Sequence, residues 1–164
     1  MSNSTASHQN VWSSTSNVVA AQTIVNPVVT LPLANTNISA NQSGCLLLLP
    51  AAAGTSTITY TLPQASSTGP AVAGSTFSFQ TTAAGATGAT RFTISTAGAA
   101  NIYGTAIEAT GFLEYNGSST LSFSGTGSQI GDRATFVSDG KNYSVLAYSC
   151  QTGNAGFPAG PFGP

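Results

Sequence analysis

Through the middle of the chain, apolar side chains alternate with serine and threonine at a period of two. Thr57-Ile58-Thr59-Tyr60-Thr61-Leu62 sets Ile58, Tyr60 and Leu62 on one face. Ser75-Thr76-Phe77-Ser78-Phe79, Arg91-Phe92-Thr93-Ile94-Ser95 and Thr120-Leu121-Ser122-Phe123-Ser124 repeat the arrangement. Successive side chains of a strand point to opposite sides, so this period builds strands with one buried and one wet face. Glycine (18 residues) and proline (8 residues) punctuate these segments. A helical period is nearly absent; the best candidate, Thr105 to Leu113, is short, contains Gly111 and reads as strand and loop. The pattern predicts an all-β fold, an antiparallel β-sandwich or barrel of jelly-roll-like type.

Two hairpins can be placed. Asn116-Gly117 separates Phe112–Tyr115 from Ser118–Phe123, and Asn-Gly tolerates the positive φ of a two-residue turn. That register sets Phe112 opposite Leu121. Asp139-Gly140 does the same between Thr135–Ser138 and Lys141–Val145, with Phe136 facing Tyr143 and Ala134 facing Val145.

The ends differ from the middle. Residues 1–17 are polar and of low complexity, whereas residues 18–33 carry Val18, Val19, Ile24, Val25, Val28, Val29, Leu31 and Leu33. Pro27 and Pro32 exclude a continuous helix there. An apolar, strand-like arm is an aggregation hazard unless it pairs with a neighbour. The predicted organisation is an extended arm over 1–40, a β domain over 41–150 and a Gly/Pro-rich tail over 151–164. The arm is expected to be dispensable for folding and required for attachment.

Charge changes the picture most. From Met1 to Thr90 there is no Asp, Glu, Lys or Arg, and the whole chain has only Arg91, Glu108, Glu114, Asp132, Arg133, Asp139 and Lys141. Charged residues are 4% of the 164, against about 25% in an ordinary domain. Three basic residues and a net charge of −1 leave nothing to neutralise nucleic-acid phosphates or to dock on an anionic membrane. A free monomer keeps soluble through mixed surface charge; a chain that substitutes Ser, Thr, Asn and Gln suits packing among copies of itself. No secretory signal is visible at the amino terminus. The most apolar run, Cys45 to Ala53, is about half a membrane span and is broken by Pro50.

Catalytic chemistry finds little to work with. His8 is the only histidine and sits in a polar terminal stretch, unsuited to a fixed triad. Glu108 and Glu114 could in principle pair as glycosidase carboxylates, but Glu114 beside a turn reads as solvated charge. Asp132 and Arg133 read as a turn anchor. Ser138-Asp139-Gly140-Lys141-Asn142 lacks the repeated acids of a calcium loop. No catalytic residue, metal site or cofactor is expected. Cys45 and Cys150, the only cysteines, flank the confident strands. They form either a disulfide clasp, contributing about 4–5 kcal/mol for a loop of about a hundred residues, or two buried thiols of a reducing compartment. Five Asn-X-Ser/Thr sequons, such as Asn37-Ile38-Ser39, are what chance yields in so Asn- and Ser-rich a chain.

Two stretches carry a resemblance. Thr59-Tyr60-Thr61-Leu62-Pro63 followed by Ala73-Gly74-Ser75-Thr76-Phe77-Ser78-Phe79, and Ile130-Gly131-Asp132-Arg133-Ala134-Thr135-Phe136-Val137-Ser138-Asp139-Gly140-Lys141-Asn142-Tyr143, resemble the strands and closing hairpin of small β-modules in phage and large DNA virus particles. Tyr143 stands where such modules commonly have Trp. The resemblance spans about residues 45–149 and leaves out the arm and the tail. It implies a trimeric structural protein of the virion, assembled in the host cytoplasm. The leading expectation is a capsid decoration or cement protein whose partners are its own copies and the major capsid or other virion proteins. The alternative is a receptor-binding or fibre-tip module that recognises host surface glycans. An enzyme is not expected.

Overall fold

The alternating segments become strands, and the apolar parity of each becomes the core. The computed structural model describes residues 27–51, 56–83, 91–108, 111–123 and 130–148. Among these, the strands run β1 (Val28–Thr30), β2 (Thr36–Asn37), β3 (Leu46–Leu49), β4 (Thr57–Thr61), β5 (Thr76–Thr81) and β6 (Arg91–Ser95). They continue with β7 (Ile102–Glu108), β8 (Gly111–Ser118), β9 (Thr120–Phe123), β10 (Arg133–Ser138) and β11 (Tyr143–Tyr148). One 3₁₀ turn, Ala40–Gln42, is capped by Ser39, whose hydroxyl accepts from Asn41 N while its own N–H donates to Gln42 Oε1.

A seven-stranded sheet has the order β1-β3-β5-β10-β11-β7-β8, and a four-stranded sheet the order β2-β4-β6-β9. The fold is an all-β, sandwich-like pair of sheets, as the alternation predicts. Its pairing is mixed and not wholly antiparallel: β1–β3, β3–β5, β7–β11, β2–β4 and β4–β6 run parallel. A period of two says which side of a strand is buried and nothing about the direction of its neighbour.

The inward parity fills the space between the sheets. Ile58, Tyr60, Leu62, Phe77, Phe79, Phe92, Ile94, Leu121, Phe123 and Phe136 are all buried. Phe79 and Phe136 meet edge to face at 5.8 Å, and Tyr143 packs edge-on against Phe77 (6.3 Å) and Phe136 (6.5 Å). Such pairs add about 0.5–1.5 kcal/mol each beyond burial. Two buried tyrosines also tie the layers by hydrogen bonds. Tyr143 Oη, on β11 of the large sheet, donates to Pro63 O at 2.6 Å, just past β4 of the small one. Tyr60 Oη, on β4, donates to Pro32 O at 2.8 Å, between β1 and β2.

Burial pushes both phenols up from 10 to about 12. Below pH 10 each is protonated whether the chain is folded or not, so neither makes stability pH-dependent there. As pH rises through 10 to 12 the unfolded chain ionises first, and the stabilisation is lost. Tyr143→Phe leaves the buried Pro63 carbonyl without this donor, at a cost of about 1–3 kcal/mol. A lower urea midpoint at unchanged slope, with a shallower alkaline loss than the parent, is the expected readout.

Both hairpin assignments change in detail. At Asp139-Gly140 the hairpin forms, but its loop is the four residues Asp139–Asn142. Asp139 Oδ1 accepts from Asn142 N (2.6 Å) and Lys141 N (2.7 Å), and Gly140 takes φ 87°. These donors, Asn142 first, hold the Asp139 carboxyl below its usual range, so that contribution fades as pH falls. The register moves by two: Phe136 faces Val145, Ala134 faces Ala147 and Ser138 faces Tyr143. Parity is kept, so the buried set is unaltered.

Asn116-Gly117 is not a turn. β8 runs straight through it to Ser118, pairing Asn116 with Tyr103 and Ser118 with Ile102, and Gly117 (φ 86°) is the extra residue of a β-bulge. Phe112 therefore faces Ile107, while Leu121 lies in the other sheet against Ile94. Both motifs exploit the ease of positive φ at glycine, so the dipeptide alone does not separate a bulge from a turn.

The arm boundary also moves. Val28–Thr30 is β1, bonded to β3 through Leu46 N to Pro27 O (3.0 Å) and Leu31 N to Leu48 O (2.9 Å). Leu31 and Ile38 are buried, and Val29 packs against the core. Residues 27–40 thus belong to the β domain, because β3 needs a neighbour and the small sheet needs β2 against β4.

Candidate functional site

The two faces of the large sheet are unlike. Its inner face is core; its outer face is read from the registers as rungs crossing every strand. One rung is Val28, Leu46, Ser78, Thr135, Leu146, Thr105 and Glu114. The next is Thr30, Leu48, Gln80, Arg133, Tyr148, Ile107 and Phe112. A shorter rung beside the first carries Thr76, Val137, Ser144, Tyr103 and Asn116.

Large apolar side chains are left in water here. Val28, Tyr103, Phe112, Val137, Leu146 and Tyr148 are all exposed, Phe112 at 78%. Leu33, Val72 and Ile130 are exposed elsewhere. Scattered apolar residues need no explanation, but a cluster such as Leu146, Tyr148, Ile107 and Phe112, on three adjoining strands of one face, marks a surface made for covering. Thr and Ser between them are joined by bonds such as Ser78 Oγ to Thr135 Oγ1 at 3.0 Å, which meets some of their polar demand within the sheet. A groove of about 210 Å³ opens at the β1 side, lined by Val28, Leu46, Ser78 and Arg133 with Gly44 and Cys45. A second, of about 370 Å³, lies at the end of the small sheet among Ile38, Leu62, Pro63, Pro70 and Ala97, with no ionisable side chain among the described residues of its lining.

The expected attachment residues divide. Val28 and Leu33 are exposed, Val29 is partly buried and Leu31 is core. Val18, Val19, Ile24 and Val25, like His8, lie outside the described residues. Residues 1–26 join the fold at β1, which is an edge of the large sheet and borders the outer face. Cys45 is buried at the entry to β3, its N–H donating to Gln42 O (3.0 Å); Cys150, and with it the proposed disulfide, lies outside the described residues.

Glu114 is exposed opposite Thr105, whereas Glu108 pairs with Gly111 at the far end of the ladder. Asp132 is buried at the start of β10, and its carbonyl accepts from Thr81 N at 2.9 Å. Among the described residues there is no group of three or more His, Cys, Asp or Glu placed to hold a metal ion, and no helix long and apolar enough to cross a membrane. No family model matches the chain, and no curated protein matches it significantly.

The outer face was not anticipated from sequence. Its signal is in Tyr143-Ser144-Val145-Leu146-Ala147-Tyr148, where Leu146 and Tyr148 occupy the parity that one-faced strands give to polar residues. Strands buried on both faces carry apolar residues on both parities, and two of the three outward positions of β11 are apolar.

Proposed function

We propose that this chain is a structural protein of virus particles, a homo-oligomeric decoration or cement protein of the capsid surface. One observation carries the reading: a chain with almost no charge combines an exposed apolar sheet face with an apolar amino-terminal segment that enters at the edge of that same sheet. Burial of the face accounts for assembly, and residues 18–26 supply a strand for a capsid partner. The motif resemblance supports the virion setting and favours a trimer.

A receptor-binding or fibre-tip module would carry its exposed aromatics on loops to meet glycans. Tyr103 and Tyr148 instead lie on strands, in the apolar face. Quantitative mass spectrometry of purified particles separates the two. A decoration protein is expected in fixed, lattice-scale ratio to the major capsid protein. A few copies per particle would replace it with the fibre-tip reading, and absence from particles would end both.

A further inference from the structure

From the charges on the outer face we infer what covers it: a second copy of this chain, docked so that Arg133 of each copy meets Glu114 of its neighbour. The inference does not depend on the virion reading. Arg133 lies on β10, at the middle of the large sheet, and Glu114 on β8, at its edge, one rung apart. Both are exposed, and they are the only charged side chains on the three outward rungs. Between and around them stand Leu146, Tyr148, Ile107 and Phe112.

A face with one cation, one carboxylate and an otherwise uncharged surround of apolar and hydroxyl or amide side chains is complementary to itself. Every copy carries both partners, so two copies paired about a two-fold axis leave neither charge buried alone, which a desolvated interface requires. Other occupants fit less well. Residues 1–26 and 149–164 contain no Asp, Glu, Lys or Arg, so the side chains of the chain's own ends offer Arg133 no carboxylate and Glu114 no cation but His8. An anionic lipid or nucleic-acid surface would satisfy Arg133 but repel Glu114. Strand spacing of about 4.8 Å and rise of about 3.3 Å per residue give a face of about 600 Å² per copy, about 1,200 Å² for a pair, the low end of specific interfaces.

The test is charge reversal read by light scattering on a sizing column over a dilution series, with circular dichroism to confirm the fold. The full chain should elute as a pair, or a multiple of a pair, of its 16.3 kDa subunit. Arg133→Glu and Glu114→Arg alone should each weaken association at least tenfold, since each places like charges across the interface. The double reversal should restore it, and mixing the two single variants should give complexes containing both. Exposed positions tolerate these changes, so loss of fold is not the expected outcome.

A parent chain that stays monomeric at about 100 µM, where even a weak micromolar contact is saturated, would overturn the inference. So would an oligomer indifferent to both reversals, which would place the interface elsewhere. A monomer that associates only after removal of residues 1–26 or 149–164 would show that the chain's own end covers the face, and would overturn it too.

Discussion

Deleting residues 1–35 should destroy cooperative folding, whereas deleting residues 1–26 should not. The longer deletion removes β1 and with it the neighbour of β3, exposing an edge of four consecutive leucines, Leu46 to Leu49. It removes Leu31 from the core; losing a buried leucine costs about 2–5 kcal/mol. It strips the Tyr60 hydroxyl of its Pro32 acceptor, and the Thr59 N–H of Asn35 Oδ1 at 2.9 Å. The orphaned Tyr60 hydroxyl, whose bond is partly buried, costs about 1–3 kcal/mol, whereas water can replace the exposed bond at Thr59. Together these approach the whole stability of a domain, about 5–15 kcal/mol, and the bared β3 edge invites aggregation. The shorter deletion ends before Pro27 and leaves every one of these contacts in place. Urea titration of the two proteins checks the contrast. Equal stability would mean that β1 contributes nothing to the fold.

The second large effect is expected at Gly104. It sits in β7 between β11 and β8 with φ 140°, facing inward opposite Val145. A Cβ there would lie 2.0 Å from Val145 O and 2.9 Å from Val145 C. These are backbone atoms, held in place by the β10–β11 ladder, so no side-chain rotation relieves the clash. Gly104→Ala must therefore force β7 away from β11 in addition to adopting a φ that alanine resists, a loss of about 2–6 kcal/mol. Gly111 provides the control. Its φ is 145°, but nothing lies within 4 Å of a Cβ built on it. Gly111→Ala carries the backbone cost alone, about 1–3 kcal/mol. A Gly104→Ala protein as stable as Gly111→Ala would mean that β7 and β11 are not in close register.

Local pattern revealed the inside of this protein and not its connectivity. Ile58, Tyr60, Phe77, Phe79, Phe92, Ile94, Leu121 and Phe123 all follow from alternation, because burial of one strand face is a property of that strand. The parallel pairings do not. β3 lies beside β5 and β7 beside β11 through contacts far apart in sequence, and no residue type marks direction. Asn116-Gly117 misled for a related reason: its positive φ is required equally by a bulge in β8 and by a turn, and only the neighbour β7 decides. Tyr143 reads as one more apolar position until Pro63 O is found beneath its hydroxyl. The outer face escaped because its residues are interleaved with Ser, Thr and Gln within single strands. Leu146, Tyr148, Ile107 and Phe112 come together only when their strands are set side by side.

Attachment through residues 1–26 is the claim on which the proposed role turns, and it can be isolated because that deletion leaves every contact described above in place. The direct measurement is occupancy: particles stripped of this protein are incubated with the full chain or with the chain lacking residues 1–26, re-purified, and the bound copies counted. Full-length protein should refill the particles to their original level, and the folded, truncated protein should leave them bare. Equal occupancy by the two would contradict arm-mediated attachment, and failure of the full chain to bind would contradict the decoration role itself.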